Sequence, residues 1–295
     1  MKYFDLLRSK FIETYKHVRQ DEDYYYLYKH IRFDNDLKIF GIFQNNKFLY
    51  TKPTSFNDPY DCLCKIEYDF SKISKSDLEE IVGKQMSHKY FKERGHIYIR
   101  KFKELPEIKN WGDIGRDSFY VTCFNNSPLN ILMWSHYTDH HKGFMLELKF
   151  KKNKDIYNNL PMPVFYNDEY PILKYPYNLT AKDCMDNPEY GSELLIKRLL
   201  NKSTVWSYEN EFRVVNRGNI SGDKDSELLE FDPSSLTSVI LGTKIDQIHR
   251  KKLEIEINKF NKQHGLNVEI FESRLSETEY KIEVKDHPRL KKASI

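Results

Sequence analysis

Runs that favour extended backbone recur along this chain between helical stretches, without the strict strand–helix–strand alternation of a parallel sheet. "YYYLYKH" (24–30), "KFLYT" (47–51) and "SFYVTCF" (118–124) are rich in aromatic and β-branched residues, and "FMLELKF" (144–150) alternates with a period of two. Further strands are predicted at 211–215, 227–231 and 236–241, and near 267–271 and 279–284. Helical spacing puts Phe4, Leu7, Phe11 and Tyr15 on one face of 4–20, and Leu78, Ile81, Val82 and Met86 on one face of 76–90. Helices are also predicted at 36–43, 128–140, 192–200 and 246–260, with Pro128 in the first turn of the second of these and Gly143 beyond its end. This order predicts an α+β fold, a mixed or antiparallel sheet with flanking helices. A single domain over 1–295 accommodates it, with a core at about 24–284 and helical insertions at 70–115 and 167–200.

Charge narrows the function classes. The 47 basic residues against 44 acidic ones leave a net charge of only +3, too little to build a broad field for phosphate backbones. Nucleic acid as a partner is therefore unsupported by charge, although a local patch is compatible with it. No apolar run reaches the length of a membrane span, and the opening "MKYFDLLRSKFIETYKHV" is charged throughout, unlike a secretion signal. Cys62, Cys64, Cys123 and Cys184 form no CxxC pair, which predicts reduced thiols and a cytoplasmic location. The alternation of Cys62 and Cys64 reads as small hydrophobes on a strand, and the basic tail "HPRLKKASI" as a solvated end. The wealth of Tyr and Phe, 21 and 19 residues, reads as compositional bias rather than a pocket signal.

Three short blocks carry chemistry. In "CFNNSPLNILMWSHYTDHHKGF" (123–144), His136 and His140 lie four apart, a spacing that serves zinc only with a third ligand, and Tyr137 stands where HExxH needs Glu. No metal is predicted. Cys123 with His136 as a nucleophilic pair is disfavoured by the apolar strand around the thiol. In "FNDPYD" (56–61), Pro59 biases Asp58 away from helix, so Asn57, Asp58 and Asp61 read as turn-formers that border a pocket at most. In "WSYENEFRVV" (206–215), Glu209 and Glu211 would share one face of a strand, eased by Arg213 or Lys197.

Taken in order, "LYKH" (27–30), "FNDPYD", "CFNNSPLNILMWSHYTDHHKG", "WSYENEFR" (206–213) and "VILG" (239–242) resemble the bacterial family known as domain of unknown function 2971, over about 24–245. A second, looser likeness follows from "YLYKHIR", "YVTCFNNS" and "ENEFRVV", whose order is similar to that of NAD-consuming ADP-ribosyltransferases. That resemblance implies an ADP-ribosyltransferase-like sheet in which His30 or Arg32 holds the pyrophosphate or ribose of NAD. Thr122 or Ser127 would support the pocket, Tyr26 or Tyr28 would pack on nicotinamide, Glu211 would be the catalytic carboxylate, and Glu209 would orient the acceptor. Trp134, His136 and Arg213 complete the expected nucleotide-binding set, with NAD as substrate and no resident cofactor. The expected partners are a nucleotide substrate and a macromolecular acceptor, as for a toxin or phage-defence effector, and no membrane. The alternative is a non-catalytic sensor of nucleotide or nucleic acid, with Trp134 or Tyr208 stacking on a base.

Overall fold

A computed structural model describes residues 11–34, 38–71, 73–103, 116, 119–152, 160–176, 193, 196–217 and 224–290. The strands in chain order are β1 (Arg19–Gln20), β2 (Tyr24–Ile31), β3 (Lys47–Thr51), β4 (Lys65–Asp69), β5 (Phe119–Asn125), β6 (Phe144–Lys151), β7 (Met162–Pro163) and β8 (Phe165–Asn167). They continue as β9 (Ile172–Pro176), β10 (Asn201–Ser203), β11 (Glu211–Arg217), β12 (Ser226–Glu230), β13 (Leu236–Leu241), β14 (Glu269–Leu275) and β15 (Ile282–Val284). The helices are α1 (Gly41–Asn45), α2 (Lys75–Val82), α3 (His88–Lys103), α4 (Ile131–Tyr137) and α5 (Gln247–His264).

Among the described residues, eleven strands join one sheet, ordered β12-β3-β5-β2-β6-β13-β14-β15, with β1 beside β2 and β11 paired to β5 and β7. Its pairings are antiparallel except β13–β14, so the protein is α+β with a mixed, mostly antiparallel sheet. Helix α5 makes the crossover between the two parallel strands. The Asp246 side chain caps it, and Leu253, Ile257 and Phe260 are buried on one stripe. Period-two alternation divides the central strands between two cores. Leu27, Leu146, Leu148 and Val239 pack on one face, and Tyr28, Met145 and Ile240 pack with Trp134 on the other.

Several expectations are corrected at their edges. The stretch 76–90 makes two helices, because Gly83 adopts φ 66 and closes α2 with a left-handed cap. The helix expected over 128–140 is only α4, since Asp139, His140 and His141 take φ 48, 55 and 71 in succession. Cys62 and Cys64 do not lie on a strand; both are buried around a turn in which Cys62 has φ 60. The predicted helices at 4–20 and 192–200 and the insertion at 167–200 lie partly outside the described residues, although 11–15 and 196–199 are helical.

The described part of the basic tail, 287–290, is docked rather than solvated. Glu147 of β6 is fully buried and receives Arg289 Nε at 2.8 Å on Oε1, a second Arg289 contact on Oε2, the Thr237 hydroxyl at 2.6 Å and the Ser238 hydroxyl at 2.9 Å. His287, also buried, bonds Ser238. Burial opposes ionisation of Glu147, but Arg289, His287 and Thr237 outweigh it and hold the carboxyl below the usual range. Such a group stabilises fully above its unfolded value of about 4.3, and that stability is lost as pH falls toward the folded value. Glu147→Gln is therefore expected to cost about 1.5–3 kcal/mol in urea unfolding at neutral pH. The gap from wild type should narrow below pH ~4.3; a gap that stays constant down to pH ~3 would contradict the assignment.

Candidate functional site

The strands around β5 leave a gap that positions the site. β5 pairs with β11 over seven residues, from Glu211↔Asn125 to Arg217↔Phe119, but meets β2 at Tyr28↔Asn125 alone. Beyond that rung β2 separates from β5, and Lys29 spans the opening, donating to Thr122 Oγ1 at 2.7 Å and the Cys123 carbonyl at 3.0 Å. A cavity of about 160 Å³ occupies this region, lined by Lys29, His30, Cys123 and Asn125, by Asp61, Lys202, Glu209 and Glu211, and by Phe56, Asn57, Phe124, Met133 and Tyr137. That is below the roughly 300 Å³ at which pockets for drug-sized ligands begin, so it suits one ring or a similar fragment.

Five side chains form a charge network on one wall. Arg213, fully buried, has five N–H groups and five bonds: Nε to Glu211 Oε1 (2.7 Å), Nη2 to Glu211 Oε2 (3.0 Å) and Asp61 Oδ2 (2.7 Å), Nη1 to the Leu199 carbonyl (2.7 Å) and Cys62 Sγ (3.1 Å). Lys202, arriving from β10, lies 2.5 Å from Glu209 Oε2, 3.0 Å from Glu211 Oε2 and 3.5 Å from Asp61 Oδ2. The Tyr137 hydroxyl donates to Glu209 Oε1, and the Glu211 backbone N–H donates to the Tyr166 hydroxyl at 2.9 Å. Glu209 does not precede Glu211 along a strand as expected. It ends a 3-10 turn over Thr204–Glu209, and Asn210 (φ 45) redirects the chain so that both carboxylates still reach Lys202.

The two carboxylates titrate apart. Burial resists ionisation of Glu211, but Arg213 and Lys202 overcome it and hold its pKa below the ordinary value. Burial raises Glu209, and repulsion from Glu211 adds to it against the pull of Lys202. Such opposite shifts in adjacent groups separate a permanent anion from a proton acceptor. Burial, with help from Lys29 and His141, pushes His30 down to about 3, so its ring is neutral. Burial also lowers Lys29 and raises Cys123, which leaves the latter a thiol.

Asn125 settles the His30 tautomer. Its Oδ1 accepts from Ser127 N–H at 3.1 Å, so its Nδ2 faces the Tyr28 carbonyl (3.1 Å) and His30 Nδ1 (2.9 Å). His30 Nδ1 is then the acceptor and Nε2 carries the proton. Nε2 is buried without a hydrogen-bond partner, the ring standing edge-on to Trp134 at 5.1 Å.

Of the residues singled out from sequence, Glu209, Glu211 and His30 meet at the cavity, and Arg213 packs behind Glu211. Arg32 is exposed just past the end of β2. Tyr28 is buried with its hydroxyl on Glu147 Oε1 at 3.2 Å, and Tyr26 lies under the Arg289 guanidinium at 4.3 Å. Trp134 is fully buried, donating to the Pro128 carbonyl at 2.8 Å. His136 is exposed, 3.0 Å from the Tyr208 hydroxyl, and Ser127 borders the Asn125 side chain outside the cavity lining. Lys29, Lys202 and Tyr137 were not singled out as site residues, and Asp61, read mainly as a turn-former that could border a pocket, does present its carboxylate at the cavity. A lysine in a strand ordinarily reads as solvent-facing, and only the unusual "YKH" between buried neighbours marks Lys29.

Among the described residues no cluster of three or more His, Cys, Asp or Glu could hold a metal ion, and no helix is long and apolar enough to cross a membrane. Neither the curated proteins nor the solved structures contain a significant match to the chain. A model of the family described as "Protein of unknown function (DUF2971)" matches residues 133–214, which include Met133, Tyr137, Lys202, Glu209, Glu211 and Arg213. Lys202, Glu209, Glu211 and Arg213 of the charged wall thus fall within the stretch that resembles DUF2971, and Asp61 falls outside it.

Proposed function

We propose that the protein is an NAD-using enzyme of the ADP-ribosyltransferase kind, which breaks the nicotinamide–ribose bond at this cavity. The observation that supports it most is the pair Glu209 and Glu211, with opposite pKa shifts on the wall of a ring-sized cavity. Cleavage of the bond builds positive charge on the ribose. Glu211, anionic at all relevant pH, would stabilise that charge in a site largely removed from water. Glu209, whose pKa is raised, would take the proton of the attacking hydroxyl or water. His30 and Lys29 would hold the departing ring. The cavity admits only one end of NAD, so the remainder would extend outside it.

Nicotinamide release from NAD by the full chain tests this reading, with candidate protein and nucleic-acid acceptors present. Glu211→Gln should lower release by about 100-fold. Circular dichroism and melting establish whether that variant is folded. Glu209 must be ionised to accept a proton, so the acid limb of the wild-type rate should lie above the ~4.3 of an ordinary glutamate and disappear in Glu209→Gln. Folded wild type that releases no nicotinamide would sink the enzyme reading. Saturable nucleotide binding without turnover would then favour the sensor.

A further inference from the structure

Glu209 is held by two donors of unequal commitment. Lys202 lies on its Oε2 but is shared with Glu211 and Asp61, so one charge serves three carboxylates. The Tyr137 hydroxyl bonds Oε1, and among the described residues it is the one side-chain donor that Glu209 does not share. Burial and the neighbouring Glu209 keep the Tyr137 phenol protonated well above its ordinary range, so the group stays a donor. Burial raises Glu209 against the pull of Lys202, repulsion from Glu211 adds to the rise, and the Tyr137 bond opposes it. The helix behind Tyr137 is itself tied to the turn that carries Glu209. Tyr137 ends α4, and the helix meets Thr204–Glu209 at two further points. Its cap Asn130 donates through Nδ2 to the Tyr208 carbonyl at 2.7 Å, and His136 Nδ1 lies 3.0 Å from the Tyr208 hydroxyl. Three bonds to two adjacent residues leave the Tyr137 hydroxyl little freedom to depart from Oε1.

We infer that Tyr137 is a positioning residue for the proposed reaction, its hydroxyl fixing the Glu209 carboxylate at the cavity and favouring the anion that must accept the proton. The inference rests on the NAD reading for the reaction itself, but the hold on Glu209 is measurable without turnover. Glu209 keeps its role as proton acceptor, because two bonds leave about two of a carboxylate's four acceptor sites open.

In the full chain, the carboxyl carbon NMR signal of Glu209, identified by its loss in Glu209→Gln, should titrate about 0.5–1 pH unit higher in Tyr137→Phe than in wild type. The O–H favours the anion, so its removal makes Glu209 harder to ionise. The acid limb of nicotinamide release should move up by the same amount, with KM for NAD unchanged within about twofold. Tyr208→Phe cuts a bond of the same clamp without touching Glu209, so it should move neither the midpoint nor the limb. Equal shifts in the two variants would mean a general loosening of the clamp and overturn the inference. A Glu209 midpoint within about 0.2 pH unit of wild type in folded Tyr137→Phe also overturns it. Nicotinamide release with an unmoved midpoint would remove only the role of Tyr137. A moved midpoint in a protein that releases no nicotinamide would remove the reaction and leave Tyr137 in control of Glu209.

Discussion

Arg213→Met is expected to cost about 3–5 kcal/mol of folding stability, a large part of the ~5–15 kcal/mol available to a typical domain. Its guanidinium is the hub at which β11, the turn carrying Asp61 and the Leu199 carbonyl meet. Methionine refills much of the volume but leaves Asp61 and Glu211 buried with Lys202 as their one shared cation in the network. The cost is mainly that of stranded anions, so it depends on pH. In wild type the depressed Glu211 pKa stabilises the fold above ~4.3 and less below it. Without Arg213 the carboxyl protonates more readily in the fold, and the gap from wild type should close as pH drops. Urea unfolding at pH ~7 and ~4 measures both, and a loss under about 1 kcal/mol at neutral pH would show that the network contributes little. Arg213→Lys keeps one charge but not the five-bond geometry, so it should rescue only part of the loss.

Gly143→Ala should be comparably severe, for a steric reason. A Cβ there would sit 2.1 Å from the Ile31 carbonyl and 3.1 Å from Arg32 Cα, both backbone atoms at the end of β2. The glycine cannot retreat, because its N–H donates to the Thr138 carbonyl at 2.7 Å and its own carbonyl accepts from Gly242 N–H at 2.9 Å. Accommodating alanine means moving β2, the strand that carries Lys29 and His30, and about 3 kcal/mol or more should be lost. Gly265→Ala is the control. It has a left-handed φ of 64 with nothing near the added carbon, so only the local conformational cost of about 1–2 kcal/mol applies. Equal melting temperatures for the two variants would refute the steric account.

These sites show why parts of the molecule were legible in sequence and others were not. The strands at 24–30, 47–51, 144–150 and 236–241 stand within about a residue of their predicted limits, because aromatic content and period two report directly on a half-buried pleated surface. The helix at 128–140 was overrun because three consecutive non-glycine residues in left-handed conformation are too costly locally to be anticipated. The glycines Gly143 and Gly242 that allow their packing show no spacing of their own. Glu209 and Glu211 were recognisable as a pair, and Arg213 as a cation beside them. Lys202 was not, and Lys197, the other cation expected there, instead donates to the Ile172 carbonyl. Lys202 and Asp61 come from separate elements, and only tertiary structure brings their charges together. The same holds for Arg289, which composition marks as tail and structure places beside Glu147.

The anchoring of Arg289 also bears on the order in which the protein is made and folded. Arg289 and its carboxylate partner are 142 residues apart in sequence. Ribosomal synthesis delivers β6 long before that partner, so the nascent chain holds Glu147 where it must stay wet or protonated. The interior of the sheet on that side closes only after Arg289 has emerged. A pairing so distant in sequence raises contact order, and contact order slows folding. The docking of Arg289 therefore acts as a checkpoint on order: the face of the sheet beneath it reaches its final packing only once the residues around 289 have been made.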